Sequence, residues 1–149
     1  MFARLAVLVV LALAFTTSAP AEEKNDNTTK VMGTVIIPKE VASFDNRVVE
    51  LRLYSINKNL ADKGADLVEK VELKEFSHTT GKETKKEFTI GAAGKLDANN
   101  RYYVTAFVLL RDNRTHIGQA DHVKEPFNKV LTDGNPRAVT IRFKEIGKK

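Results

Sequence analysis

The segment LDANNRYYVTAFVLL, Leu96–Leu110, decides the fold of this 149-residue chain. Its second part, Arg101–Leu110, carries apolar residues on both alternating faces, which predicts a strand covered on both sides at the centre of a sheet system. Leu96, Tyr102 and Val104 have the spacing of a tyrosine corner, in which the Tyr hydroxyl bonds to the preceding loop and fixes the crossing between sheets. We therefore predict a structural role for Leu96 and Tyr102, with an ordinary core tyrosine as the alternative.

Shorter alternating segments on either side of this strand predict further strands, separated by turn residues. They lie at Val31–Ile37, Arg47–Ile56, Leu67–Phe76, Lys86–Ile90, Thr115–Val123, Phe127–Leu131 and Ala138–Phe143. For Ala65–Glu75 a helix is the alternative, because Glu and Lys are good helix formers. Seven or eight short strands without a long amphipathic helix indicate an all-β fold, an antiparallel, Greek-key-like β-sandwich.

The first 21 residues predict a secretory signal peptide. Arg4 precedes the apolar run Leu5–Phe15, and the triplet Ala19-Pro20-Ala21 fits a cleavage site after Ala21. A helix of this run would span roughly 16 Å, about half of a bilayer core, so a membrane anchor is disfavoured. We expect an exported protein, periplasmic or extracellular, whose mature chain begins at Glu22 and has no transmembrane anchor.

The rest of the chain has the size of one domain. Residues 22–29 predict a flexible polar lead, residues 30–146 a single β-sandwich domain, and residues 147–149 a basic tail. The chain has no cysteine, which excludes disulfides, a cysteine nucleophile, thiolate metal ligands and a lipid-modified cysteine. Its net charge of +5 is mild, and most of its basic residues alternate with acidic ones. The exceptions, Lys82–Lys86 and Lys144–Lys149, have no interleaved aromatic residues, so we do not expect nucleic acid as a partner.

Three histidines, His78 among them, are the candidate metal ligands or general bases. On one continuous strand His116 and His122 would stand roughly 20 Å apart, too far to share an ion. A turn at Gly118 would bring them together, with Asp121 beside them. We expect ordinary surface histidines and no cofactor, and a metal site of His116, Asp121 and His122 is the alternative.

The sequence shows no catalytic motif. None of its serines lies in a G-x-S-x-G elbow, and the glycine-containing stretch Gly91–Lys95 lacks the spacing of a phosphate loop. We therefore predict no catalytic residue and expect recognition by loops or by an exposed sheet edge. The candidate partner-binding residues are Asp112, Asn113, Arg114, Asp133 and Asn135, with plain turn chemistry as the alternative.

A set of short motifs resembles one protein family in matching order. The motifs are Val31–Val35, Val49–Leu53, Leu60–Asp62, Phe88–Ile90, Leu96-Asp97, Tyr102–Ala106 and Val130–Gly134. Together, from Lys30 to Phe143, they are similar to the YbaY/YscW-type family of small exported β-sandwich proteins. The resemblance implies a lipoprotein and, as in some members, a pilotin that guides secretin subunits to the outer membrane, but this chain lacks the lipobox cysteine. A transthyretin-like or fibronectin-type sandwich would give a similar pattern.

These observations predict a secreted or periplasmic, non-catalytic binding or accessory module of the cell envelope. Its expected partner is an envelope protein or a polysaccharide. Two alternatives stay open at this point: a metal-dependent protein that uses His116, Asp121 and His122, and a purely structural component of the envelope.

Overall fold

The computed structural model describes residues 26–60, 62–121, 123–125 and 127–147, and the predicted signal peptide lies outside these ranges. The regular elements of the described residues are strands, so the all-β prediction is confirmed. In chain order they are β1 (Val31–Ile37), β2 (Phe44–Asn57), β3 (Asp66–His78), β4 (Thr84–Ile90), β5 (Asn100–Leu110), β6 (Asn113–Ala120), β7 (Asn128–Val130) and β8 (Ala138–Glu145). Within this part of the chain, no helix has the length and apolar character needed to cross a membrane.

The strands form one continuous sheet that curls into a nearly closed barrel. Neighbours follow the order β3-β2-β5-β6-β8-β1-β4, and β7 pairs with β5 on the edge that β6 also uses. All pairings are antiparallel except that of β1 with β8. A Greek-key-like sandwich of two separate sheets is not confirmed, because the described strands share a single path of hydrogen-bonded neighbours.

The barrel interior is filled by alternate residues of the two central strands, as the sequence predicts. Val49, Leu51 and Leu53 of β2 are fully buried. They face β5, where Val108 pairs with Val49 and Val104 pairs with Leu53. Since each fully buried Val or Leu side chain contributes about 1.5–3 kcal/mol, this paired column is a main source of stability.

The outer face of β5 is less buried than the sequence predicts. Tyr103, Phe107 and Leu109 point away from the core and are only half-buried. The expectation that this strand is covered on both sides is therefore wrong for the described structure. Its outward apolar residues lie beside side chains of β2 instead of under a second layer, which leaves an aromatic surface on the outside of the barrel.

A single buried side chain, Asn128, joins three strands. Its amide nitrogen donates hydrogen bonds to the carbonyl oxygens of Val104 at 3.0 Å and Gly118 at 3.4 Å. Its amide oxygen accepts a hydrogen bond from the backbone amide of Ala120 at 2.6 Å. These bonds satisfy buried backbone groups at the point where β6 leaves β5 and β7 begins.

The chain before Lys30 belongs partly to the folded domain. Thr28 forms a β-bridge with Lys95, and the buried Thr29 donates its amide to the carbonyl of Gly94 at 2.9 Å. These two residues were predicted to lie in a flexible lead. Long-range hydrogen bonds hold them in place instead. The segment is polar, so no apolar residue in it could have predicted this packing.

The hairpin between β5 and β6 is tighter than the sequence predicts. Asn113 pairs directly with Leu110, so Arg111 and Asp112 alone form the turn. Arg111 has a φ of 56°, a left-handed conformation that a two-residue turn requires. Asn113 and Arg114, which were predicted to lie in the turn, therefore open β6.

Candidate functional site

Three aromatic side chains cluster on the outer face of the barrel, and we call Tyr54, Tyr103 and Phe127 the aromatic patch. Tyr54 and Tyr103 are cross-strand partners whose ring centroids lie 5.2 Å apart, with 20° between the ring planes. Phe127, just before β7, meets Tyr103 edge-on at 5.1 Å and 80° and is 48% exposed. Both geometries are favourable for aromatic pairs, so the rings hold one another in place at the surface.

A groove of about 630 Å³ runs beside the patch. Its volume lies within the range of ordinary ligand sites. Besides Tyr103 and Phe127, it is lined by Ile56, Arg101, Tyr102, Glu125, Lys129, Asp133 and Asn135. The groove therefore combines aromatic rings with polar groups of both charge signs.

Asp133 is fixed at the rim of this groove by two cations. The Lys58 ammonium lies 2.6 Å from one carboxylate oxygen, and the Arg101 guanidinium lies 3.4 Å from the other. The hydrogen bond from Lys58, together with the charges of both cations, lowers the pKa of Asp133. This side chain is an acceptor-only carboxylate at neutral pH.

On the outer face of the barrel, the side chains nearer the β5–β6 hairpin contact one another. Glu50 is 4% exposed; its carboxylate accepts a hydrogen bond from Arg52 Nη2 at 2.9 Å, and its other oxygen lies 2.9 Å from Arg52 Nε. The hydrogen bond to Glu50 raises the pKa of Arg52 and keeps it charged. Nearby, the Arg114 guanidinium covers the ring of Phe107 at 3.9 Å. These groups already have partners within the chain.

The five candidate partner-binding residues fall at opposite ends of β5. Asp133 and Asn135 line the groove beside the aromatic patch. Asp112, Asn113 and Arg114 lie at the β5–β6 hairpin, away from it. The structure thus brings the first two together with the aromatic rings and separates them from the other three.

Tyr102 has the geometry expected of a tyrosine corner. It is 3% exposed, and its hydroxyl accepts a hydrogen bond from the backbone amide of Asp97 at 3.0 Å. Leu96 packs against the core. The contribution of this corner to stability is a prediction taken up below.

The prediction of surface histidines is wrong for His78 and His116, which are 3% and 4% exposed. Their rings pack against Phe44, with centroids at 5.7 and 5.4 Å. Asp121 is ion-paired with an arginine of β8 at 3.0 Å, and His122 lies outside the described residues. Among the residues that the structure describes, no group of three or more His, Asp or Glu side chains gathers as a metal site. The metal hypothesis stays a prediction.

The two end strands of the sheet, β3 and β4, offer a different surface. Glu69, Val71 and Leu73 of β3 share the inner face with β2 but are only partly buried, and the backbone amide of Gly91 donates to the Glu69 carboxylate. Lys86 of β4 lies on the same face as the buried Val35. Charged residues on the inner face of an edge strand are a known protection against strand addition. This edge is therefore a weaker candidate than the aromatic patch.

The residues that define the site carry no clear signal in the sequence. Tyr54 lies within the predicted strand Arg47–Ile56, but its stacking on Tyr103 depends on the register between β2 and β5, which one sequence does not reveal. Phe127 was counted as an ordinary strand residue. In the structure β7 begins only at Asn128, which leaves Phe127 outside the strand.

The comparisons with known proteins concern the fold. No protein-family model matches this sequence, and no curated protein matches it. A solved structure described as an alternative pilotin from the type II secretion system of Vibrio cholerae is similar, with a TM-score of 0.56 and 21% sequence identity. The match covers 81% of this chain and 99% of that one. It supports a pilotin-like fold, while the YbaY/YscW resemblance itself is not confirmed.

Proposed function

We propose that this protein is a non-catalytic accessory protein of the cell envelope that holds a macromolecular partner against the aromatic patch. Export with cleavage after Ala21 is part of the proposal. N-terminal sequencing of the protein isolated from its native host should then begin at Glu22. Retention of Met1 in a membrane fraction that resists carbonate extraction would contradict export with cleavage.

One observation carries the proposal: Phe127 is 48% exposed beside a groove, and its ring contacts Tyr103, which in turn stacks on Tyr54. Aromatic side chains are enriched at the centres of binding interfaces, where a rigid ring buries a large area at a small entropic cost. A pre-positioned ring at the edge of a groove is well suited to this role.

The fold likeness supports an accessory role in the envelope. The similar structure is described as a pilotin of a secretion system. This favours a protein of the secretion apparatus as one candidate partner of the present chain. Whether or not the partner belongs to a secretion apparatus, the proposed mechanism is binding alone. The partner covers the aromatic rings and forms hydrogen bonds with the polar residues at the rim of the groove.

Site-specific crosslinking tests the proposed surface. A photoreactive amino acid replaces Phe127 in one variant and Leu110 in the matched control, which is also 48% exposed but lies at the far end of β5. In the native host we expect a discrete crosslinked species from position 127 and none from position 110. Equal labelling at the two positions, or none at position 127, would contradict the proposal.

A further inference from the structure

The barrel has a seam where two neighbouring strands are not paired. β3 pairs with β2 and β4 pairs with β1, and among the residues that the structure describes no ladder joins β3 to β4. We call the gap between β3 and β4 the seam. A side-chain contact spans it toward each end of β3: His78 Nδ1 lies 2.8 Å from the Thr84 hydroxyl, and the Gly91 amide donates to the Glu69 carboxylate.

The C-terminal end of β3 is anchored in the core. Phe76 and His78 are buried, and their rings pack against Phe44 with centroids at 6.4 and 5.7 Å. His78 Nε2 also lies 3.1 Å from the carbonyl oxygen of Val41. This end cannot leave the barrel without exposing these rings to water, which is costly.

The rest of the strand, Asp66–Lys74, is held more weakly, and we call it the flap segment. Each of its side chains is exposed or half-buried, including those of Val71 and Leu73, which face inward. Across the seam it is held by the hydrogen bond between Gly91 and Glu69. Moving this segment therefore removes little apolar surface from the core, and such regions open at a fraction of the global free energy of unfolding.

A bulge separates the flap segment from the anchored end. The register shifts between the pair Val49–Leu73 and the pair Arg47–Phe76, where β3 has one residue more than β2. Within this bulge Glu75 has a φ of 53°, which is in the left-handed region. Bulges interrupt the ladder and bend the strand that carries the extra residue. The bulge is thus a hinge point between the two parts of β3.

Gly91 is a fixed partner for Glu69. The Thr29 hydroxyl donates to the Gly91 carbonyl at 2.7 Å, and the Thr29 amide donates to the Gly94 carbonyl at 2.9 Å. Gly91 is itself buried directly after β4. A hydrogen bond from a backbone amide to a carboxylate is stronger than one between neutral groups. The bond therefore ties the flap segment to a rigid part of the barrel.

We infer that the flap segment opens about the bulge at Glu75 while the rest of the barrel stays folded, and that the bond between Glu69 and Gly91 is the latch that holds it closed. Opening frees the edge of β2 and admits water to Leu51 and Leu53, which the flap segment flanks. The barrel thus has a closed and an open state, which is what a regulatory element requires.

Residue-resolved amide hydrogen exchange on the wild-type protein tests the opening. Among the β3 amides that bond to β2, those in the flap segment should exchange at least about tenfold faster than those in Phe76–His78. Their rates should change little in low urea because the opening exposes little surface, whereas rates in β5 should rise steeply. Equal protection along the whole of β3, or the same urea dependence in the flap segment and in β5, would overturn the inference.

Removing the latch provides the second test. Glu69→Ala removes one charge-assisted hydrogen bond, so exchange in the flap segment should become about tenfold faster, with β5 unchanged. Glu72→Ala, on the exposed side of the same strand, is the matched control and should change exchange by less than about twofold. Glu69→Gln keeps a neutral acceptor and should give a smaller rise, which tests the latch even if Glu69→Ala does not fold.

Two results with these variants would contradict the latch. One is an effect of both Glu69 substitutions no larger than that of Glu72→Ala. The other is an equal acceleration of exchange in the flap segment and in β5, because the segment would then open only when the whole barrel unfolds.

Discussion

The two ends of the outer face of β5 carry similar residues in different situations. At one end Phe107 lies under the Arg114 guanidinium at 3.9 Å, next to the buried Glu50–Arg52 pair. At the other end Tyr103 stacks on Tyr54, whose hydroxyl accepts a hydrogen bond from Arg52 at 3.4 Å, and Phe127 beyond it is 48% exposed beside a groove. The first end is completed by the chain's own side chains, and at the second the ring of Phe127 remains exposed to solvent.

This difference separates structural aromatic residues from binding ones. An aromatic ring covered by a cation of its own chain has its attractive face already occupied. A ring held by neighbouring rings keeps apolar surface exposed, which a partner can bury. The contrast therefore predicts that mutations at the two ends affect different properties.

The largest loss of stability should follow removal of Asn128, which attaches β7 next to the patch. Asn128→Ala leaves the buried amide of Ala120 and the carbonyl of Val104 without this partner. We expect a loss of about 2–3 kcal/mol in the free energy of unfolding. Chemical denaturation measures it, with the exposed neighbour Lys129→Ala as a control that should change by less than about 0.5 kcal/mol. Equal stability of the two variants would show that Asn128 does not join the strands.

A smaller loss should follow at the occupied end. Glu50→Gln removes the charge that pairs with Arg52 on a nearly buried surface. Because the guanidinium is then left with a weaker partner, we expect about 2 kcal/mol of destabilisation and unchanged partner binding. Glu72→Gln, on the exposed side of β3, is the control and should have little effect. A loss of binding in Glu50→Gln at full stability would reverse the roles assigned to the two ends.

The tyrosine corner should contribute somewhat less. Tyr102→Phe removes the hydroxyl that accepts from the Asp97 amide at 3.0 Å. We expect a loss of about 1–2 kcal/mol, measured as a shift of the denaturation midpoint. Tyr102 is also one of the residues that line the groove. An unchanged midpoint would show that the corner has no structural role.

Alternating sequence patterns were sufficient to locate the strands because burial has a period of two along a strand. Val49, Leu51 and Leu53 alternate with polar residues in the predicted strand Arg47–Ile56, and they are fully buried. The same pattern did not show that the strands form one curled sheet. That depends on which strands pair, including the parallel pairing of β1 with β8, and pairing leaves no local signal.

The site was only partly accessible from sequence. Turn chemistry singled out Asp133 and Asn135 as surface residues, and both line the groove. The same argument also singled out Asn113 and Arg114, which lie in β6. Turn residues are polar whether or not they bind anything, so this signal does not identify function. The aromatic patch arises from residues distant in sequence that only the register of β2 and β5 brings together.

The thermal stability of the protein should not depend on a bound metal ion. Treatment with a chelator is expected to leave the Tm unchanged, because paired strands need no ion to satisfy their backbone groups. Thermal unfolding with and without chelator measures this. A drop of several degrees that zinc restores, and that His116→Ala or His122→Ala abolishes, would support the metal-dependent alternative instead.

The contrast between Phe127 and Phe107 tests the central claim most directly. Both are changed to Ala, and each variant is assayed for the free energy of unfolding and for retention of its partner in the native envelope. We predict that Phe127→Ala loses the partner and changes stability by no more than about 1 kcal/mol, the size of its ring contact with Tyr103, while Phe107→Ala loses about 1–2 kcal/mol and keeps the partner. Partner retention by Phe127→Ala would contradict the assignment of the aromatic patch as the binding site.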